Sequence, residues 1–214
     1  MAFPVELAST LTGASVNTLR RWRRDGIFAP ELSPMRPMLY SFRDLVALRS
    51  VCYLRSEVSL QKIRRALANL SEQDFTRHLS EYQFATDGKT VVLWTEDGFI
   101  DIVDKPCKFN VVTLVEIYRP FTNQAEKPVV DFEKPRKRIE VAPGRLGGFP
   151  TIEGTRIPYD TVARLQQGPK AVRPEDVKRF FPGVTKGAAL DALNFDEEVR
   201  AAGRGSSWMR TRRR

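Results

Sequence analysis

The apolar positions near the start of the chain repeat with a helical period. Apolar residues in Val5–Leu11 predict a short helix, and Leu19 and Trp22, three residues apart, share one face of a second helix. Ser15 is suited to cap the start of the second helix, and Gly26 supplies a left-handed residue just beyond its end. Two short helices joined by a tight turn predict a helix-turn-helix.

Two further helices are predicted before residue 70. The segment 27–40 contains three prolines and no helical period, which predicts a loop or a short hairpin. Ser41 then stands before a helix with a broad apolar stripe, and Ser59 stands before a shorter helix of the same kind.

The pattern changes in the middle of the chain. β-branched and aromatic residues bounded by turn signals predict a small antiparallel meander from about residue 81 to 104. The segment 109–121 fits a strand by its β-branched content and a helix by its apolar spacing, so both remain open. Residues 122–138 are polar, with two prolines and a basic cluster, and predict a linker.

A second compact unit is predicted from about residue 139. It begins with a strand and continues through a glycine- and proline-rich chain of tight turns at 144–158. Three helical runs follow, at about 158–167, 173–181 and 185–201, and the end of the chain has no apolar period.

The predicted fold class is α+β, mainly α. It comprises an N-terminal head with the helix-turn-helix, a β-containing middle region suited to dimerisation, a linker, a small helical domain and a flexible basic tail. Their ranges are 1–70, 71–121, 122–138, 139–202 and 203–214.

Composition narrows the class of protein. Hydrophobic residues make up 42% of the chain and charged residues 29%, as in globular proteins. The sequence has neither an apolar run of the ~18–20 residues that a membrane helix needs nor a signal peptide, so we expect a cytoplasmic protein. Two cysteines, Cys52 and Cys107, cannot form a four-ligand zinc site, and we expect neither metal nor cofactor.

The positive charge is concentrated at the two ends of the chain. The net charge is +9, with 11 basic and 5 acidic residues in 1–70. Residues 203–214 add five arginines and no acid, whereas the residues between are close to neutral. A basic N-terminal unit indicates a polyanionic partner such as DNA, although a merely solvated basic surface is the alternative.

The polar face of the second helix supplies candidate DNA contacts. Short polar residues near the start of such a helix reach base edges, and arginines along it reach phosphates. The candidates are Asn17, Thr18, Arg20, Arg21, Arg23 and Arg24.

Residues 5–70 resemble the winged helix-turn-helix head of the MerR family. The shared motifs are Thr12-Gly13, Thr18-Leu19-Arg20, Gly26, Leu39-Tyr40-Ser41, Asp44-Leu45 and Ser59-Leu60. The resemblance implies that Thr18 and Arg20 contact DNA. Arg21 stands where the family usually has an aromatic residue, and Met38 replaces the usual wing arginine, which leaves Arg36 as the nearest candidate for the wing contact.

The string GFPTIEGTRIP, residues 148–158, resembles the signature of a small helical family of unknown function. That family is frequent in antitoxin-like proteins, and the resemblance extends over about residues 139–202. The glycines and prolines of the string are of the kind that fix tight turns, and it lacks the spacing of a phosphate-binding loop.

Together the two resemblances are typical of a VapB-type antitoxin. Such a protein represses its own operon and neutralises a PIN-domain ribonuclease, and we expect a homodimer on a two-fold operator. Arginines of a flexible tail suit the acidic metal site of such a nuclease; a solvated tail and a non-specific DNA tether are the alternatives. The candidate toxin contacts are Trp208, Met209, Arg210, Arg212, Arg213 and Arg214.

Other classes of function fit the sequence less well. The lone His78 and the lack of a recognisable catalytic or nucleotide-binding motif indicate that the protein is not an enzyme. The alternative that stays open is a MerR-like regulator or a phage-type DNA architectural protein without a toxin partner.

Overall fold

The computed structural model has the predicted α+β, mainly α fold. The residues that it describes are 1–59, 61–66, 83–86, 91–95, 98–101 and 117–204. Its helices are α1 (Val5–Thr12), α2 (Val16–Arg24), α3 (Phe42–Glu57), α4 (residues 61–66), α5 (Tyr159–Leu165) and α6 (Lys186–Arg204). Its strands are β1 (Phe3–Pro4), β2 (Leu39–Tyr40), β3 (Gln83–Thr86), β4 (Val91–Thr95), β5 (Gly98–Asp101), β6 (Phe121–Thr122), β7 (Pro128–Val129), β8 (Ile139–Glu140) and β9 (Thr151–Ile152).

The predicted helix-turn-helix is formed by α1 and α2. Gly13 ends α1 with a φ of 81°, a left-handed conformation that glycine adopts without steric cost. The Ser15 hydroxyl accepts a hydrogen bond from the Thr18 amide at 3.1 Å, which confirms Ser15 as the N-cap of α2. Gly26 follows α2 with a φ of 68°, as predicted.

The proline-rich segment 27–40 is a loop that ends in a short strand. Its strand β2 pairs antiparallel with β1, with Phe3 opposite Tyr40. Ser41 then caps α3: its hydroxyl accepts from the Asp44 amide at 3.0 Å, and the Asp44 carboxylate accepts from the Ser41 amide at 2.8 Å. This reciprocal pair confirms the predicted start of α3.

The predicted meander is present as an antiparallel sheet in the order β3-β4-β5. Of the segment for which strand and helix stayed open, residues 109–116 lie outside the described residues. The remainder includes a short helical turn at 117–118 and the start of β6.

The prediction of a linker at 122–138 is wrong. β6 and β7 form an antiparallel hairpin, and Val129 and Phe132 beyond its turn are 3% and 1% exposed. The segment contains few apolar residues, but Phe132 lies in the common core and Val130 packs against it, while Val129 packs against Gly13. Composition gave the average polarity of the segment, whereas burial depends on individual side chains.

The C-terminal unit contains a strand pair and two α-helices. β8 pairs antiparallel with β9, and α5 packs against α6. The helix predicted at 173–181 is not formed, since only a 3₁₀ turn, Val177–Arg179, is present there. Pro182 disfavours the helical conformation at the residue before it, which shortens the helical segment at its C-terminal end.

The head and the C-terminal unit share one hydrophobic core. α1 contacts both α3 and α6, so the first helix of the head lies between the two units. A chain of aromatic rings continues across the junction: the ring centroids of Phe3 and Phe149 are 5.8 Å apart, and those of Tyr159 and Phe195 are 4.8 Å apart. Phe149 also stacks on Tyr159, at 5.9 Å.

Candidate nucleic-acid interface

α2 has one apolar face and one polar face. Val16, Leu19 and Trp22 recur at a helical spacing and are each 1% exposed, so they fix the helix on the core. The remaining positions are polar or basic and lie on the outer side. The helix is therefore oriented by its apolar residues, and this orientation presents its arginines to solvent.

Five of the predicted DNA contacts meet at one surface depression of about 380 Å³. Asn17, Arg21 and Arg24 are exposed, and the other two are half-buried. The hydroxyl of Thr18 also forms a 2.8 Å hydrogen bond with that of Ser15, which fixes it at the start of the helix. The residues around the depression are Asn17, Thr18, Arg20, Arg21 and Arg24.

The other two predicted contacts are placed differently. The Arg23 guanidinium donates to the backbone carbonyl of Pro34 and lies 3.5 Å from the sulfur of Met35. Arg23 therefore holds the proline-rich loop at 27–40 against α2. Arg36 is exposed on that loop, away from the depression around α2.

Asp25, the residue that follows α2, forms ion pairs with two arginines. The Asp25 carboxylate lies 3.2 Å from the Arg24 Nε and 3.7 Å from the Arg64 guanidinium of α4. The side chain of Arg24 is 73% exposed, so this pair is weak and leaves the arginine available to a phosphate.

Sequence reasoning did not select Arg55, which contacts the buried face of α2 through Trp22. Its guanidinium lies 5.8 Å from the centroid of the Trp22 ring and donates to the side-chain oxygen of Gln124. Burial lowers its pKa, and the nearby Arg21 and Arg64 act in the same direction. In the sequence, Arg55 is visible only as an arginine in the last turn of α3. That position does not distinguish it from an ordinary surface arginine.

Arg49 is a second arginine that sequence reasoning missed. It is fully buried, and its guanidinium donates to the carbonyls of Ile117 at 2.5 Å, Arg119 at 2.8 Å and Val130 at 2.7 Å. It also donates to the carbonyl of Leu11, at the end of α1. Burial lowers its pKa to about 10, so it remains charged at neutral pH. Arg49 thus joins the helix-turn-helix to the hairpin segment.

The described residues hold no group of three histidine, cysteine or acidic side chains that could bind a metal ion. Cys52 is buried as a free thiol, and burial raises its pKa to about 12. None of the described helices has both the length and the apolar character of a membrane span. The predicted toxin contacts, which all fall within 208–214, lie outside the described residues, as do His78 and Cys107.

Comparison with known proteins identifies the same two units. Residues 3–70 match the MerR HTH family regulatory proteins, and residues 139–195 match a family described as protein of unknown function, DUF433. The crystal structure of Rv2018 from Mycobacterium tuberculosis aligns with 89% of this chain and 96% of that chain, with a TM-score of 0.52 and 19% sequence identity. No curated protein matches the sequence significantly.

The chain therefore carries a MerR-type helix-turn-helix domain at its N-terminus and a DUF433 domain at its C-terminus. The first of these indicates a DNA-binding regulator. The similarity to Rv2018, at 19% identity, is a similarity of fold.

Proposed function

We propose that the protein is the DNA-binding antitoxin of a type II toxin-antitoxin system, which represses its own operon and neutralises a PIN-domain ribonuclease. The observation that carries the DNA-binding part is the outer face of α2, where short polar residues and arginines surround one depression. The toxin-binding part rests on the pairing of a MerR-type head with a DUF433 domain and a basic tail.

The polar face of α2 has the chemistry of a recognition helix. Asn17 and Arg20 are of the types that pair bidentately with adenine and guanine in the major groove. Arg21 and Arg24 are exposed along the same helix and suit phosphate contacts, which position the protein without reading sequence.

We propose that the protein acts as a homodimer. Helix-turn-helix proteins commonly read two half-sites related by a two-fold axis, and each protomer supplies one recognition helix. The middle region, residues 71–121, remains our candidate for the contact between protomers.

Toxin neutralisation is assigned to the basic tail. PIN-domain nucleases hold Mg²⁺ with clustered carboxylates, and arginine pairs bidentately with carboxylates. Trp208 and Met209 would anchor the tail by apolar contact, as aromatic residues do at interface hot spots. We propose no catalytic activity for the protein itself, and its inhibition of the nuclease is stoichiometric.

The DNA-binding part is tested with a duplex that covers the region upstream of the protein's own gene. Asn17→Ala should lower affinity for this duplex about 5- to 100-fold and leave affinity for a random duplex unchanged. Arg24→Ala should lower the affinity for both duplexes by a similar factor. Equal binding of the two duplexes by the wild-type protein would contradict a sequence-specific operator.

The toxin-binding part is tested with the product of the adjacent gene. We expect that product to be retained by the full-length protein in a pull-down, and to lose ribonuclease activity in a one-to-one mixture. Deletion of residues 205–214, which leaves α6 intact, should abolish inhibition while DNA specificity is kept. Full inhibition by the truncated protein would transfer this role to another surface.

A regulator or phage-type DNA architectural protein is the second candidate, favoured by the same exposed face of α2. It would bind DNA with the same variants affected but would neither retain nor inhibit an adjacent nuclease. Sharp bending of the bound duplex, measured by gel mobility, would favour the architectural class.

A further inference from the structure

The hairpin β6–β7 is mounted directly on the helix-turn-helix. The side chain of Asn123 has two roles in this arrangement. Its amide nitrogen donates to the carbonyl of Gly13 at 2.9 Å, in the turn between α1 and α2. Its amide oxygen accepts from the backbone N–H groups of Ala125 and Lys127, at 2.9 and 3.1 Å. One side chain therefore shapes the hairpin turn and attaches it to the head.

Three further contacts fix the hairpin on the head. The ring of Phe121 packs edge-on against Tyr53 of α3, with centroids 5.4 Å apart. Arg55 donates to Gln124 in the hairpin turn, and the methyl groups of Val129 fill the space beside Gly13. Because these contacts come from both strands of the hairpin and from its turn, the turn has a defined position relative to α2.

An open groove of about 770 Å³ separates the hairpin turn from the start of α2. On one side it is lined by Asn17, Thr18 and Arg21 of the recognition helix, and on the other by Gln124 and Lys127 of the hairpin. Three of these residues, Asn17, Thr18 and Arg21, also border the depression at which the predicted DNA contacts meet. The groove and the candidate DNA surface are therefore continuous.

The groove carries a positive charge. Arg21, Arg55 and Lys127 line it, and Arg21 contributes to the lowered pKa of Arg55. The acidic residue at its far wall, Glu198, forms an ion pair with Arg136. Within the described part of the chain, neither Arg21 nor Lys127 has an ion-pair partner. Such a groove suits an anion.

We propose that the hairpin turn is a second DNA-contacting element, and that Lys127 and Gln124 bind the phosphate backbone beside the bases that α2 reads. This inference rests on the proposed DNA binding. A lysine ammonium neutralises a phosphate, and a glutamine amide donates to phosphate oxygens. Glu126, the acidic residue of the turn, does not line the groove.

The assignment predicts a contact that is independent of sequence. Lys127 reaches the backbone next to the recognition helix, so its loss should weaken specific and random duplexes by the same factor. For one phosphate contact near 0.1 M salt this factor is about five to ten, and the slope of log affinity against log salt should fall by about one.

The test is fluorescence anisotropy of Lys127→Ala with the upstream duplex and with a random duplex, from about 0.05 to 0.3 M KCl. Lys170→Ala is the matched control, since Lys170 is also an exposed lysine of a turn but does not line the groove. We expect only Lys127→Ala to lose affinity and salt slope, and to lose hydroxyl-radical protection of the DNA backbone beside the bases that α2 reads.

Three outcomes would overturn the inference. If Lys127→Ala and Lys170→Ala have the same DNA affinity and the same salt slope, while Arg24→Ala binds DNA more weakly, the hairpin contact fails and the proposed DNA binding stands. If the wild-type protein binds neither duplex, both fail together. If Lys127→Ala loses only retention of the adjacent gene product, the groove is a protein interface.

Discussion

Arg49 shows how a single residue connects parts of this chain that are distant in sequence. Its hydrogen bonds join the carbonyl of Leu11 to carbonyls of Ile117, Arg119 and Val130. Burying a cation is costly, and here several carbonyl dipoles and the ring of Phe121, 5.1 Å away, offset that cost. Loss of the guanidinium would leave the buried carbonyls of Leu11 and Ile117 without this donor.

Gly13 and Gly26 form a matched pair for testing the contact between hairpin and head. Both have left-handed φ values, 81° and 68°, so alanine at either position costs roughly 1–2 kcal/mol of unfolding free energy. A Cβ atom at Gly13 would lie 2.5 Å from a methyl carbon of Val129, whereas nothing lies within 4 Å of one at Gly26. We expect Gly13→Ala to be the more destabilising by about 1–3 kcal/mol in urea unfolding.

The double variant Gly13→Ala with Val129→Ala provides the control for that comparison. Shortening Val129 removes the clash, so the extra penalty at Gly13 should shrink while its conformational cost remains. Equal destabilisation by Gly13→Ala and Gly26→Ala would show that the hairpin does not press on this turn in solution.

Cys52 predicts a loss of stability at alkaline pH. Burial raises the pKa of its thiol from 9.0 to about 12, so the folded chain keeps a proton that the unfolded chain releases. The contribution of this thiol to the free energy of unfolding is therefore constant below about pH 9 and falls above it, by up to about 1.4 kcal/mol per pH unit. Urea unfolding between about pH 8 and 10, before the buried tyrosines contribute, measures this slope.

Cys52→Ala should remove the part of that slope that comes from the thiol. The variant has a lower stability at pH 7 because it loses apolar contacts, yet its stability should change less between pH 9 and 10. The same slope in the wild-type protein and in Cys52→Ala would assign the alkaline loss to other groups.

At the scale of elements, N-terminal helix caps determine where α2 and α3 begin. Ser15 and Ser41 cap α2 and α3, and their hydroxyls accept from the Thr18 and Asp44 amides. These bonds connect residues three positions apart, so they depend on local sequence and little else. The placement of the recognition helix in the chain follows from them.

Substitutions of Ser15 separate the cap from the DNA surface. Ser15→Ala should cost about 1 kcal/mol of stability, because the Thr18 amide loses its acceptor. Ser15→Asp keeps a good cap and should unfold like the wild-type protein, but its negative charge beside the groove should weaken DNA binding. Urea unfolding and anisotropy of both variants measure the two effects. If Ser15→Asp bound DNA normally, the start of α2 would not face the backbone.

At the scale of the whole molecule, the two units are held together by a common core. α1 contributes buried residues to the contact with α6, and a Cβ atom at Gly203 near the end of α6 would lie 2.9 Å from Glu6 of α1. Gly148 is similarly close to the ring of Phe42, at 2.2 Å for an added Cβ. The head is therefore packed against the C-terminal unit and is not an independent domain joined to it by a flexible linker.

This packing predicts one unfolding transition for the full chain. A fragment of residues 1–138 exposes the faces of Phe3 and Phe42 that the C-terminal unit covers, so it should be less stable and bind the dye ANS. Co-expression of residues 139–214 should restore stability. The measurement is urea unfolding monitored both by far-ultraviolet circular dichroism and by tryptophan fluorescence. Two separate transitions in the intact chain would contradict a shared core.

The sequence by itself determined the elements whose signals are local. Caps, apolar spacing and left-handed glycines specified α1, α2 and α3, and the same spacing placed Asn17 and the arginines on the outer face of α2. These features depend on residues within one or two helical turns of each other. They could therefore be recognised without knowledge of the rest of the fold.

Only the tertiary structure decided how distant segments combine. The hairpin at 121–129, expected to be part of a linker, lies on the head because Asn123 bonds to Gly13, 110 residues away. The roles of Arg49 and Arg55 likewise depend on acceptors about 70 positions further along the chain. A residue's composition and spacing state what it can bind, but the partner that it meets is fixed only when the core packs.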